Sequence, residues 1–182
     1  MWPIQASMVN VMLTYSAPAA EVAADHQNLL QEPLVQQLLD SLPEPAMILN
    51  PQRQVVLVND KLAALLNAEP EELLGHRPGE ILHCIHSQDC AGGCGTSKFC
   101  AQCGAGRAIW ESQTTNTAQV RDCRMACATG AGSLSLDLKV WATPLAVSGR
   151  FTVFAVRNTS NTAATSVTPK PKSGESFPKN NC

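Results

Sequence analysis

Leu29, Leu30, Leu34, Val35, Leu38 and Leu39 recur at helical spacing between Asn28 and Leu42, and Pro43 and Pro45 end the pattern. This predicts one amphipathic helix over residues 28–42. The period then changes. Ala46 to Leu49 and Val55 to Val58 are short apolar runs around the turn Asn50-Pro51-Gln52-Arg53-Gln54, which reads as a hairpin with a slightly long loop. Asn59 or Asp60 can cap a short helix that turns Leu62, Leu65 and Leu66 inward. Pro70 opens a further helical turn that Gly75 closes, and Pro78 leads through Ile81-Leu82 into a cysteine-rich block.

After that block, Cys100 to about Ser112 has helical register. Three strand-like segments follow, at 115–126, 134–145 and 151–158. The second alternates cleanly, with Leu134, Leu136, Leu138 and Val140 set against Ser135, Asp137 and Lys139, so one face is buried and the other wet. The order is helix, two strands, short helices, an insert, a helix and three strands. An α+β fold accounts for it: a five-stranded antiparallel sheet with helices on one face and a cysteine-rich insert at 83–104. Residues 1–27 lack clear periodicity and read as a flexible segment. Residues 159–182, rich in Ser, Thr, Pro and Lys, read as a disordered tail ending in a free Cys182.

Composition narrows the function. The chain has 182 residues, 45% hydrophobic and 15% charged, with a formal charge of -2. That suits one globular domain, here 28–158, and offers no basic stripe for nucleic acid. No run approaches the roughly 18 apolar residues needed to span a bilayer. No Lys or Arg precedes the apolar part of the N-terminus, as an export signal requires, so a cytoplasmic location is the default. No Ser/His/Asp set, phosphate-cradling glycine motif or carboxylate pair stands out, and no enzyme activity is expected.

Chemistry concentrates between His83 and Cys103, which holds five of the eight cysteines. Cys100-Ala101-Gln102-Cys103 is a C-x-x-C pair at a helix start, where the helix N-terminus favours thiolates. Cys84 and Cys94 lie upstream on a Gly-rich loop able to bend towards it. An all-thiolate site suits Zn²⁺ or an iron–sulfur cluster, because soft ligands select those metals. Cys84, Cys94, Cys100 and Cys103 are the expected ligands, with Cys123, Cys90 and His86 as alternates and His83 as a further source of imidazole. A thiol–disulfide switch without metal is the rival reading. Cys123 and Cys127, four apart on one strand, should face the same side as separate buried thiols.

The residues Leu42-Pro43-Glu44-Pro45, Ile48-Leu49-Asn50, Val58-Asn59-Asp60-Lys61-Leu62, Glu71-Glu72-Leu73-Leu74-Gly75 and the ending Phe151 to Ser160 together resemble a PAS domain over residues 34–158. The cysteine block resembles an insert of some bacterial PAS proteins. The resemblance implies a sensory and dimerisation module. It would act as a homodimer through a separate output protein, such as a histidine kinase or transcription regulator. With the cysteine block, it implies a sensor of redox state, oxygen or metal, or a structural-zinc adaptor, with a small electron-transfer protein as a third reading. Some PAS sensors hold haem through a histidine in this region, but the crowding thiols argue against haem. Flavin photochemistry is not expected, since Pro78 stands where light-sensing relatives place their reactive cysteine.

Overall fold

Pro33 divides the apolar stripe that the sequence presents as one helix. The computed structural model describes residues 15–160 apart from 131 and 148. It contains α1 at Ala19–Leu30 and α2 at Pro33–Ser41. Proline has no N–H to give to a running helix but suits the first position of a new one. The single helix expected over 28–42 is therefore two, and α1 begins inside the segment expected to lack structure. Nor is the stripe buried as a unit. Leu29 and Leu39 are inside, whereas Leu34 and Leu38 are each 64% exposed. The expectations for residues 1–14 and 161–182, Cys182 included, lie outside the described residues.

The hairpin strands β1, Ala46–Leu49, and β2, Val55–Val58, fall where the apolar runs lie. Short helices α3, Asp60–Leu66, α4, Pro70–Leu73, and α5, Pro78–Ile81, follow. A loop with two 3-10 turns, Ile85–Ser87 and Lys98–Gln102, then leads to α6, Gly104–Thr115. The last strands are β3, Gln119–Thr129, β4, Gly132–Leu145, and β5, Phe151–Asn158. β3 starts later than expected because α6 runs on to Thr115 and stops at Asn116, which adopts φ +53.

These five strands form one sheet in the order β2-β1-β5-β4-β3, and every neighbouring pair is antiparallel. The expected five-stranded antiparallel sheet with flanking helices is present. Met47, Leu49, Val140 and Phe154 pack on one face with Leu62, Ile81 and Ile109 from the helices after β2. Ala46 and Ile48 alternate to the other face, where Val22, Leu29 and Leu39 of α1 and α2 cover them. β1 is thus covered on both sides, which is why all four of its residues are buried.

Asn59 ties three elements together from a fully buried position. Its Oδ1 accepts from Leu62 N–H at 3.0 Å, capping α3, and from Ala46 N–H at 2.9 Å, at the start of β1. Its Nδ2 donates to Glu44 O at 2.9 Å and to Leu39 O at 3.3 Å, reaching α2. Gln54 fastens the start of the described chain in the same way. Its Oε1 accepts from Ala17 N–H at 2.7 Å, and its Nε2 donates to Gly75 O at 3.0 Å and Ala17 O at 3.3 Å. His26 links α1 to the sheet through a 2.7 Å contact from Nδ1 to Val56 O.

Replacing Asn59 by Ala removes a cap and leaves two buried N–H groups and two carbonyls short of a partner. Asn59→Ala should cost about 3 kcal/mol of stability, since each such loss typically costs 1–3 kcal/mol. Urea unfolding monitored by circular dichroism would measure it, and a loss below about 1 kcal/mol would contradict this account.

Candidate functional site

The cysteine-rich loop is held down at both ends. At its start, His83 takes φ +57 and its carbonyl accepts from Ala128 N–H at 2.8 Å, while Cys84 forms an antiparallel bridge with Cys127 at the tip of β3. At its end, Gly104 lets the first turn of α6 sit directly on β3. A Cβ at Gly104 would come within 2.1 Å of the Asp122 carbonyl oxygen, a contact that no side chain can make. This close approach brings Cys103 Sγ to 3.8 Å from Cys123 Sγ.

Between these ends the loop is pinned by Arg77, which is 2% exposed. Its Nη1 donates to Gly92 O at 2.7 Å and Cys94 O at 3.0 Å. Its Nη2 donates to Tyr15 O at 2.8 Å and Ser16 Oγ at 3.3 Å. One guanidinium therefore fastens the loop to the segment that leads into α1. Glu80 adds two bonds, accepting from Arg77 N–H at 2.8 Å and from Cys94 N–H at 3.1 Å. Arg53, also buried, enters from the β1–β2 turn and lies against Gly95. A Cβ there would sit 2.4 Å from its Nη1, and Gly95 has φ +93, so the position needs glycine twice over.

Beneath the loop is a cavity of about 360 Å³. Leu138, Val140, Phe154 and Val156 form its sheet wall, Ala105, Gly106 and Ile109 its α6 wall, and Cys84, Cys94, Cys100 and Cys103 are in its lining with Arg53 and Arg77. The volume lies at the lower end of the roughly 300–1,000 Å³ found for small-molecule sites.

The four cysteines expected to hold a metal thus border one space, but they do not form a metal site. Among the described residues, no group of three or more His, Cys, Asp or Glu side chains is placed to hold a metal ion. A four-thiolate centre needs every sulfur at about 2.3 Å from one ion. Here the sulfurs have separate partners. Cys100 Sγ accepts from Gly95 N–H at 3.3 Å and lies 3.6 Å from Ser97 Oγ, whereas Cys103 is paired with Cys123. The alternates fare no better. His86 Nδ1 is 2.8 Å from Asp89 Oδ2 and its ring stacks on Phe99 with centroids 4.2 Å apart, and Cys90 lies half-buried in the loop, its carbonyl accepting from Gly93 N–H. The zinc and iron–sulfur readings are corrected accordingly, and with them the metal-, oxygen- and redox-sensing roles. Cys84, Cys94, Cys100, Cys103, Cys123 and Cys127 are free thiols, so no disulfide set among these six takes the place of a metal.

The thiols differ sharply in acidity. The hydrogen bond from the Cys123 thiol, helped by the Gly106 and Ala105 N–H groups at the start of α6, lowers the Cys103 pKa to about 6. The same contact and burial push Cys123 upward. Burial raises Cys94 to about 12 and, with the neighbouring Cys84, Cys127 to about 11. Cys123 and Cys127 do face one side of β3, as expected, and both are buried.

Sequence reasoning passed over Arg53 and Arg77. One sits in a hairpin turn and the other between His76 and Pro78, places where arginines are usually solvated. No local pattern marks them as buried.

The sequence model of a family described as PAS fold matches residues 39–92. That stretch contains the hairpin, the Asn59 cap and the short helices, and β3 to β5 complete the sheet in the order given above. The sheet and its flanking helices have a PAS-like α+β topology. Among solved structures the chain is similar to the PAS domain of nitrogen regulation protein NR(II) from Vibrio parahaemolyticus, at 11% identity and a TM-score of 0.48, covering 69% of this chain and 97% of that one. It is also similar to the PAS domain of a Colwellia psychrerythraea protein, at 11% identity and a TM-score of 0.47, covering 73% and 98%. A third is the PAS domain, in complex with ethanol, of a LuxR-family transcriptional regulator from Burkholderia thailandensis, at 17% identity and a TM-score of 0.45, covering 68% and 96%. No curated protein matches the chain. Among the described residues, no helix is long and apolar enough to cross a membrane.

Two outcomes check the site. Alkylation needs the thiolate, so Cys103 should react with iodoacetamide at a rate that rises through about pH 6, while Cys94 and Cys127 stay slow until strongly alkaline pH. Peptide mapping across a pH series would show equal reactivity of the three thiols if this assignment is wrong. Gly104→Ala should cost about 1–3 kcal/mol by forcing α6 off β3. It should also slow Cys103 alkylation at pH 7, because the contact with Cys123 is lost.

Proposed function

We propose that this PAS domain is a sensory module that binds a small molecule in the cavity under the cysteine-rich loop. It would pass the binding event to a separate output protein. The observation that carries this reading is the cavity itself, an apolar space closed by a loop that Arg77 ties to the segment before α1. Cys84, Cys94, Cys100 and Cys103 serve as wall residues in this reading. A ligand shifts the balance between two states only by as much as it binds one better than the other. Here the difference would come from loop positions that do or do not close over the ligand, and Arg77 would carry them to Tyr15, Ser16 and α1.

The exposed Leu34 and Leu38 of α2 make that helix the natural face for self-association, and the same face would feel a shift of α1. Leu34→Glu with Leu38→Glu should then leave the fold intact and lower the molar mass in light scattering to that of one chain. A single-chain mass for the unaltered protein would remove the dimer from the proposal.

The cavity reading is tested by filling the space. Val140 is fully buried and faces it. In a thermal-shift screen of small apolar and amphipathic molecules, binders should raise the Tm of the native protein but not of Val140→Phe. A screen in which no molecule distinguishes the two proteins would overturn the reading.

A further inference from the structure

Cys103 differs from the other thiols around the cavity in what surrounds its sulfur. It borders the space, whereas Cys123, 3.8 Å away and 3% exposed, stands behind it and takes no part in the lining. The Cys123 thiol donates to Cys103, and the Ala105 and Gly106 N–H groups in the first turn of α6 bond to the same sulfur. Donors gathered on one sulfur at the positive end of a helix favour its anion, the form of cysteine that attacks carbon. The neighbouring thiols lack this arrangement. Cys100 Sγ is engaged from the loop by Gly95 N–H at 3.3 Å and lies 3.6 Å from Ser97 Oγ. Cys94 Sγ is crowded against Gly79, where a Cβ would lie 2.6 Å from it.

The space that Cys103 borders is walled largely by hydrocarbon. Ala105 and Gly106 put little or no side chain beside the sulfur, and Leu138, Val140 and Phe154 form the sheet side of the same cavity. A nucleophile that opens onto an apolar chamber meets molecules that the chamber concentrates and orients, and holding the partners together converts a collision into a local reaction.

We infer that Cys103 is a covalent capture site for small apolar α,β-unsaturated carbonyl compounds, which enter the cavity and add to its sulfur. This rests on the cavity reading above and adds to it a bond and a class of ligand. The sulfur bonds to the β-carbon, and the π pair of the C=C bond moves through the α-carbon to the carbonyl oxygen, giving an enolate. The α-carbon then takes a proton from water, replacing the one that the thiol released. Thiol and enone thus become a saturated thioether. Nothing is oxidised or reduced, no leaving group departs, and Cys123 keeps its own proton.

The test is incubation of the full chain with 3-octen-2-one at neutral pH, followed by intact mass spectrometry and peptide mapping, with 2-octanone as the saturated control. The two ketones share a carbon skeleton, and only the enone can add. One adduct per chain should form, on Cys103. With each rate taken relative to the same enone reacting with free glutathione, 3-octen-2-one should exceed methyl vinyl ketone by at least about tenfold, because the butyl chain it alone carries is buried in the cavity. Val140→Phe should remove that preference. An adduct on another cysteine, or equal relative rates for the two enones, would overturn the capture site. A rise in Tm with 2-octanone but no adduct with the enone would overturn the capture while leaving the cavity reading in place. Neither adduct nor Tm shift, in a protein that also fails the Val140→Phe comparison above, would remove both. The mapping and the two-enone comparison need only the native chain, so a misfolded variant would not shield the inference.

Discussion

A guanidinium buried almost completely is costly unless backbone oxygens surround it, and Arg77 meets that condition by drawing two distant stretches of chain to itself. Gly92 and Cys94 supply carbonyls from the cysteine-rich loop, and Tyr15 and Ser16 supply oxygens from the N-terminal side. The planar fork allows one side chain to serve both. A lysine offers three donors from a single point and could not span the two. The loop's position, the roof of the cavity and the placement of the segment before α1 all follow from satisfying this one charge.

The cavity has an equally local origin. Across from Leu138, Val140 and Phe154, the facing elements carry Gly79, Ala105 and Gly106, residues with little or no side chain. Interiors are normally filled to crystal-like density. Small residues on one wall and fixed strands on the other leave a space that neither can fill, and Arg77 prevents the loop from sinking into it. Gly79 in particular cannot be enlarged, because a Cβ there would lie 2.6 Å from Cys94 Sγ.

Much of this was legible in the sequence, where the signal is local. The hairpin strands and β5 fall on their apolar runs because each is bounded by turn residues, and Asn59 announces itself by preceding a helix it can cap. The break at Pro33 was equally visible in principle, but a continuous leucine stripe outweighed it. The candidate site was half legible. The cysteines do gather around one space, yet their spacing along the chain says nothing of where each sulfur points. Gly95 N–H, Ser97 and Cys123 engage them before any ion could. The two arginines were illegible for the opposite reason: Arg77 is met by carbonyls of Gly92, Cys94 and Tyr15 and Arg53 lies against Gly95, all far along the chain, and backbone groups leave no trace in composition or period.

The tie between Gln54 and Ala17 bears on where this domain can be cut. Leucine periodicity suggests a boundary near residue 28, and a fragment begun there would look complete by its hydrophobic pattern. It would lack Ala17, whose backbone occupies the Gln54 amide, and Val22, which closes the outer face of β1 and β2. It would also strip Arg77 of half its acceptors. Such a fragment would keep its sheet yet lose the roof of its cavity, some sixty residues away from the cut.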